Sequence, residues 1–186
     1  ARKLADLLVI PSSPKGGDSY FEDRARDMIA TAILDVALTE SPELRNMSSV
    51  LERLYISEDE KVISWCDHLA TISTPMRRQA DALRGMPAKQ REGVFDSARR
   101  HLDVWQAPAL EQISGTTQFS ADELRKQNGT LYLLVPLEEM KRLAPVLRVI
   151  IGQMIYALCR NEPESGALPV TFFLDEMPRL GRMDVI

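Results

Sequence analysis

Pro169-Val170-Thr171-Phe172-Phe173-Leu174-Asp175-Glu176-Met177-Pro178-Arg179-Leu180-Gly181 carries the strongest fold signal in the chain. Val170 to Leu174 is a short run rich in aromatic and β-branched residues, and it ends abruptly in two acids. A buried parallel strand has this composition when it delivers carboxylates to the carboxyl edge of an α/β sheet. Ligands bind at that edge in open α/β folds.

Working backwards, Thr130-Leu131-Tyr132-Leu133-Leu134-Val135 is a second apolar run, opened by Gly129 and closed by Pro136. Its length and makeup predict another buried strand. Between the two lies a helix from Pro145 to Leu158 that is apolar on most sides, then a turn at Pro163-Glu164-Ser165-Gly166. Strand, helix, strand predicts a right-handed βαβ unit with parallel strands.

Residues 19–127 read differently. Ser19-x-x-Glu22 has the form of a capping box, and Phe21, Ala25, Met28, Ile29, Ala32, Ile33 and Val36 follow helical spacing. This predicts a long central helix. Asn46 is a cap for a segment holding Val50, Leu51 and Leu54, and Ser57-x-x-Glu60 is a second capping box before Val62, Trp65, Cys66, Leu69 and Ile72. Thr74-Pro75 starts the next helix and Gly85 ends it; Val94 to Trp105 marks another, closed before Pro108. Ser120-x-x-Glu123 opens a short one. Five or six helices are expected here. Pro11 to Gly17 is a turn-rich linker after a short apolar helix at residues 1–9. The expected fold is therefore mainly α, an all-helical bundle followed by a βαβ fragment of a parallel α/β domain.

An apolar run before Asp-Glu is by itself equally a core strand ending in solvated acids. Four stretches together say more: Tyr20-Phe21-Glu22-Asp23-Arg24-Ala25-Arg26, Gly129 to Pro136, Leu143-Ala144-Pro145-Val146-Leu147-Arg148, and Leu174-Asp175-Glu176-x-Pro178-x-Leu180-Gly181. With these the chain resembles the TraG-like coupling proteins of bacterial type IV secretion and conjugation systems, P-loop ATPases of RecA-like fold. The resemblance covers most of the chain and is most evident over residues 129–183. It implies three segments. Residues 1–17 would be the end of a flanking nucleotide-binding segment, 18–128 the family's inserted all-helical domain, and 129–186 part of the nucleotide-binding domain.

The resemblance also implies roles. Asp175 would be the Walker B acid that holds Mg²⁺ of bound ATP, and Glu176 the acid that polarises the attacking water. Both roles belong to the intact ATPase. No G-x-x-x-x-G-K-[ST] occurs in the sequence, so this chain is expected to hold no cofactor and to be inactive by itself. The family works as a homo-hexameric ring on the cytoplasmic side of the bacterial inner membrane, while this chain is expected to be soluble and monomeric. The implied partners are secreted protein substrates, adaptors, a relaxase–DNA complex and other type IV secretion components.

Composition fits a soluble protein: 186 residues, 45% hydrophobic and 27% charged, with a net charge of −4. Such a balance argues against indiscriminate nucleic-acid binding over the whole surface. Ala1-Arg2-Lys3-Leu4 reads as the middle of something longer, and Val146 to Leu158 is too short to cross a bilayer. The two cysteines, Cys66 and Cys159, are far apart without metal-ligand spacing, and both sit in apolar helical patterns that suggest buried free thiols. Autonomous metal-dependent hydrolysis through Asp175 and Glu176 is disfavoured, because no histidine or third acid stands near them.

Charge in the helical part is uneven. From Asp35 to Glu60 seven acids face only Arg45 and Arg53. Type IV secretion signals are often basic, as the resemblance implies, so Glu52, Glu58, Asp59 and Glu60 are the first candidates for substrate contact. From Pro75 to His101 the excess is basic: Arg77, Arg78, Arg84, Lys89, Arg91, Arg99 and Arg100. These are candidates for DNA or an acidic partner. Alternatively, the two stretches are solvated faces that pair with each other, since no aromatic residues interleave with the arginines as a single-strand platform requires.

Overall fold

Apolar residues recurring at helical spacing set the centre of the first part of the molecule. In the computed structural model, Ala25, Met28, Ile29, Ala32 and Val36 are all buried along α2 (Ser19–Thr39). The structure describes residues 1–10, 19–117, 119–160, 168–181 and 183; the linker at 11–17, the Ser19 side chain, the turn at 163–166 and Arg182 lie outside the described residues. By packing, the chain divides into two units, Ala1–Thr116 and Thr117–Ile186.

The first unit is wholly helical among the described residues. α1 (Arg2–Leu8) lies against α2, tied by ion pairs from Arg2 to Asp27 and from Arg26 to Asp6. Then follow α3 (Met47–Leu54), α4 (Asp59–Ile72), α5 (Thr74–Arg84), α6 (Ala88–Leu102) and α7 (Pro108–Ser114). α4 and α5 form an antiparallel pair and α6 packs on α2. The core residues Leu54, Leu69, Met76, Leu102 and Cys66 are almost fully covered.

The start signals hold in part. Asn46 caps α3, its side chain accepting from the Ser49 amide at 3.0 Å. Ser57 does not cap α4; that helix begins at Asp59 after Glu58, with no side-chain cap, and Glu58 pairs with Lys61 instead. α5 is capped by Ser73, not Thr74, with Pro75 in the first turn. Phe21, expected in the core, is 37% exposed. It stands in the first turn of the helix, where its ring lies against Gly93 of α6.

In the second unit α8 (Ala121–Lys126) opens with the expected box: Ser120 accepts from the Glu123 amide and Glu123 accepts from the Ser120 amide. α9 (Met140–Arg160) starts before Pro145 and runs through it. Including the turn before it, this helix is long and apolar enough to cross a membrane by length and composition alone. It packs against α8 and the turn at Met177–Leu180 and buries Arg148, and a third of its apolar window is covered.

No strand is present among the described residues, so the expected βαβ pairing is not found in the second unit. A strand exists only where a neighbour satisfies its backbone groups, and residues 130–135 and 170–174 pair with none. Their apolar side chains stay open instead: Leu134 is 88% and Phe173 91% exposed. Cys159, expected to be buried, is exposed on α9, whereas Cys66 is buried on α4 and burial pushes its thiol up.

Candidate functional site

Asp175 and Glu176 stand where the apolar run meets a short 3₁₀ turn, Met177–Leu180. Both acids are exposed on the rim of a 1130 Å³ apolar cavity within the second unit, lined by Leu124, Leu147, Ile151 and the two open segments. Glu176 Oε2 receives Arg179 Nε at 2.8 Å. Asp175 has no hydrogen bond or ion pair among the described residues, which leaves its carboxylate free to take a cation or its water. Behind the turn, buried Arg148 Nη1 donates to the Leu180 carbonyl at 2.9 Å, and Gly181 follows at φ 69°. A left-handed φ favours glycine there, since a Cβ would clash. No cluster of three metal-ligating groups occurs among the described residues.

The acidic candidates of the first unit are distributed around the start of α4. Glu52 and Glu60 are exposed and have no partner among the described residues; Glu58 pairs with Lys61 at 2.8 Å. Asp59 pairs with Arg91 of α6, so one link does join the acidic and basic stretches. Asp35 and Glu40 are not part of an acidic surface: both hold Arg53, and Asp35 is fully buried.

The basic candidates separate into two groups. Arg77 donates to the Ala70 carbonyl, Arg84 pairs with Asp67 and Asp81, and Arg91 pairs with Asp59. Arg99 is spoken for on every nitrogen, donating to the carbonyls of Leu54 (2.7 Å) and Ile56 (2.9 Å) and to Asp96 (2.9 Å). Arg78, Lys89 and Arg100 are exposed with no partner among the described residues.

Two arrangements escape a sequence reading. Around Asp35, Trp65 Nε1, His68 Nε2 and Arg53 Nε converge at 2.8, 2.8 and 3.1 Å. Burial alone would raise the Asp35 carboxyl, but hydrogen bonds from Trp65, His68 and Arg53 outweigh it and hold it below the usual carboxylate range. Asp35 is seven residues from Met28, and that helical spacing is the one signal in the sequence that could have placed it on the core face. The second arrangement is a cleft on α6, where exposed Phe21 and Tyr55 flank Arg99 and Arg100. Aromatic rings do therefore stand beside the arginines, brought there from other elements.

The family model described as type IV secretory system conjugative DNA transfer matches residues 1–186. The chain is 30% identical over 190 residues to protein VirD4 of Rhizobium radiobacter and 27% identical over 191 residues to protein VirD4 of Rhizobium rhizogenes, covering all of this chain in both. It is also 24% identical over 174 residues, 91% of its length, to the probable conjugal transfer protein TraG of Sinorhizobium fredii. It spans only 26–27% of the length of these relatives. No solved structure matches. The match to the family model runs the whole length of the sequence, and the chain belongs to the type IV secretory system conjugative DNA transfer family.

Proposed function

We propose that residues 18–128 are the cargo-recognition part of a type IV coupling ATPase, and that residues 1–17 and 129–186 belong to its RecA-like nucleotide-binding domain. What carries this reading is the full-length family match, combined with a helical unit that packs on its own core. The cargo would be a secreted protein, an adaptor-bound substrate or a relaxase–DNA complex, delivered to other type IV components by a hexamer at the cytoplasmic side of the inner membrane.

In the parent protein the segments 130–135 and 170–174 would become neighbouring strands, which supplies the pairing that their exposed backbone and side chains need. Asp175, with its open carboxylate, would hold Mg²⁺ of ATP, and Glu176 would orient the attacking water. Mg²⁺ supplies charge neutralisation at the phosphates. The chain's own part is to fix the two carboxylates through the Arg148 bond to Leu180 and the Arg179 pair.

Cargo contact is assigned to Glu52, Glu58 and Glu60: Glu58 pairs only with the exposed Lys61 one turn along, whereas Asp59 is tied to Arg91 of α6. Charge reversal of the three to lysine in the parent should depress transfer of a cognate substrate while ATP hydrolysis persists. Unchanged transfer would remove this surface. A second reading is DNA contact by Arg78, Lys89 and Arg100, which are exposed with no partner among the described residues; a fall of oligonucleotide affinity with salt, with a slope that decreases when these three are neutralised, would support it.

A further inference from the structure

The α6 cleft holds its aromatic walls in place before any ligand arrives. A Cβ added to Gly93 would sit 3.0 Å from Phe21 Cε1, so the glycine is what lets this ring lie against the α6 backbone. Tyr20 meets the same ring edge-on at 5.4 Å. Across the 570 Å³ cleft, Tyr55 is fixed from two sides: its hydroxyl accepts from Gln106 at 2.6 Å, and the Arg99 guanidinium lies 5.2 Å from its ring centre. Phe21 and Tyr55 nonetheless keep 37% and 47% exposure. Rigid rings with open faces bind at low entropic cost.

Charge decides what fits between them. The carboxylate of Asp96 is taken by Arg99, and Asp103 accepts from Gln106 at 3.0 Å. Arg100 alone lines the cleft as a charged group with no partner among the described residues. The ligand therefore brings an anion for Arg100 and a flat ring for the walls. A run of phosphates is disfavoured, because Asp96 and Asp103 would stand against it.

We propose that this cleft binds a short segment of a partner protein in which an aromatic side chain neighbours an acidic one, the ring entering between Phe21 and Tyr55 and the carboxylate meeting Arg100. The assignment of that partner as cargo rests on the recognition role proposed above; the binding itself does not.

The test is an NMR titration of the isotope-labelled 186-residue chain with the capped heptapeptide Gly-Ser-Glu-Trp-Glu-Ser-Gly. Saturable shifts should centre on the amides of Phe21, Tyr55, Gly93 and Arg100. Replacing the peptide's tryptophan by alanine, or its glutamates by lysines, should weaken binding about tenfold, as should Arg100→Glu or Tyr55→Ala in the protein. Both protein positions are exposed, so the amide spectrum away from the cleft should be unchanged. Shifts that are absent, spread elsewhere, or indifferent to the ring and to Arg100 overturn the proposal. So does tighter, steeply salt-dependent binding of a short oligothymidylate at the same amides, which would make the cleft a nucleic-acid site. If Arg100→Glu abolishes peptide binding but leaves transfer by the parent protein intact, the cleft stands and its role in cargo recognition falls.

Discussion

The indole Nε1 of Trp65 donates to Asp35 Oδ2 at 2.8 Å inside the first unit, joining α4 to the last turns of α2. His68, one turn along α4, reaches Oδ1 of the same carboxylate at 2.8 Å, and Arg53 brings in α3. A fully buried carboxylate is costly unless its oxygens are satisfied. Here three helices share the task, so the acid fixes their mutual register.

Asp35→Ala should consequently cost the first unit about 3 kcal/mol or more, because the buried Trp65 indole loses its acceptor and Arg53 keeps only Glu40. Urea unfolding followed by tryptophan fluorescence measures it. Asp35→Asn should cost less, since an amide oxygen can still accept from the indole. An alanine variant that unfolds at the same urea concentration as the unaltered chain would show that the three helices do not depend on this carboxylate.

Stability should fall in two stages on acidification. Burial lowers the pKa of His101, so its neutral form is favoured in the fold; that contribution is complete above about pH 6.5 and is lost as pH falls through the lowered folded value. Asp35 also has a depressed folded value, so its contribution is present above about pH 3.9 and is lost below that, as it protonates. Melting temperature against pH should show both stages, and His101→Asn should erase the first. A flat profile in the His101 variant and the unaltered chain alike would contradict the assignment.

Ile29 and Ile33 share α2 but differ in cover: Ile29 is fully buried and Ile33 half-buried. Ile29→Asp should cost several kcal/mol, about 4 by the usual size of such burial, and Ile33→Asp distinctly less. Thermal unfolding of the two side by side gives the order, and equal losses would mean that α2 faces its neighbours differently.

Thiol labelling should separate the cysteines. Exposed Cys159 should react promptly in the native chain, while Cys66, buried and with its thiol pushed up, should wait for unfolding. Simultaneous labelling under native conditions would place Cys66 at the surface.

In the intact parent, Glu176→Gln should leave nucleotide binding nearly intact and abolish turnover, whereas Asp175→Asn should weaken Mg²⁺-dependent binding as well. Nucleotide titration and phosphate release distinguish the two. Full activity in both variants would show that these acids do not reach an active site.

The helical unit was legible because its signals are local. Ala25 to Val36 repeats at helical spacing, and Asn46 and the Ser120–Glu123 pair cap as their side chains dictate. Errors of a residue or two came where several capping residues compete, as at Ser57 and Glu58 or Ser73 and Thr74. Asp35 was counted with the acids because charge is read one residue at a time, whereas its burial depends on Trp65, thirty positions on. The aromatic cleft was hidden for the same reason: Phe21, Tyr55 and Arg100 meet only once three elements have packed. The strand reading met a different limit. A strand is a property of a pair, and residues 130–135 and 170–174 find no partner within the described residues.

Those two segments also govern how the chain behaves in a tube. Leu131 to Val135 and Val170 to Leu174 contain no charge or proline, and Tyr132, Leu134 and Phe173 turn 77%, 88% and 91% of their surface outward. Uncharged β-prone stretches left bare to water are where cross-β aggregation nucleates. A lysine at position 134 or 173 would act as a gatekeeper against such growth. The shelf life of a preparation is thus set by ten residues of the second unit, while the first, with its core closed, sets its melting point.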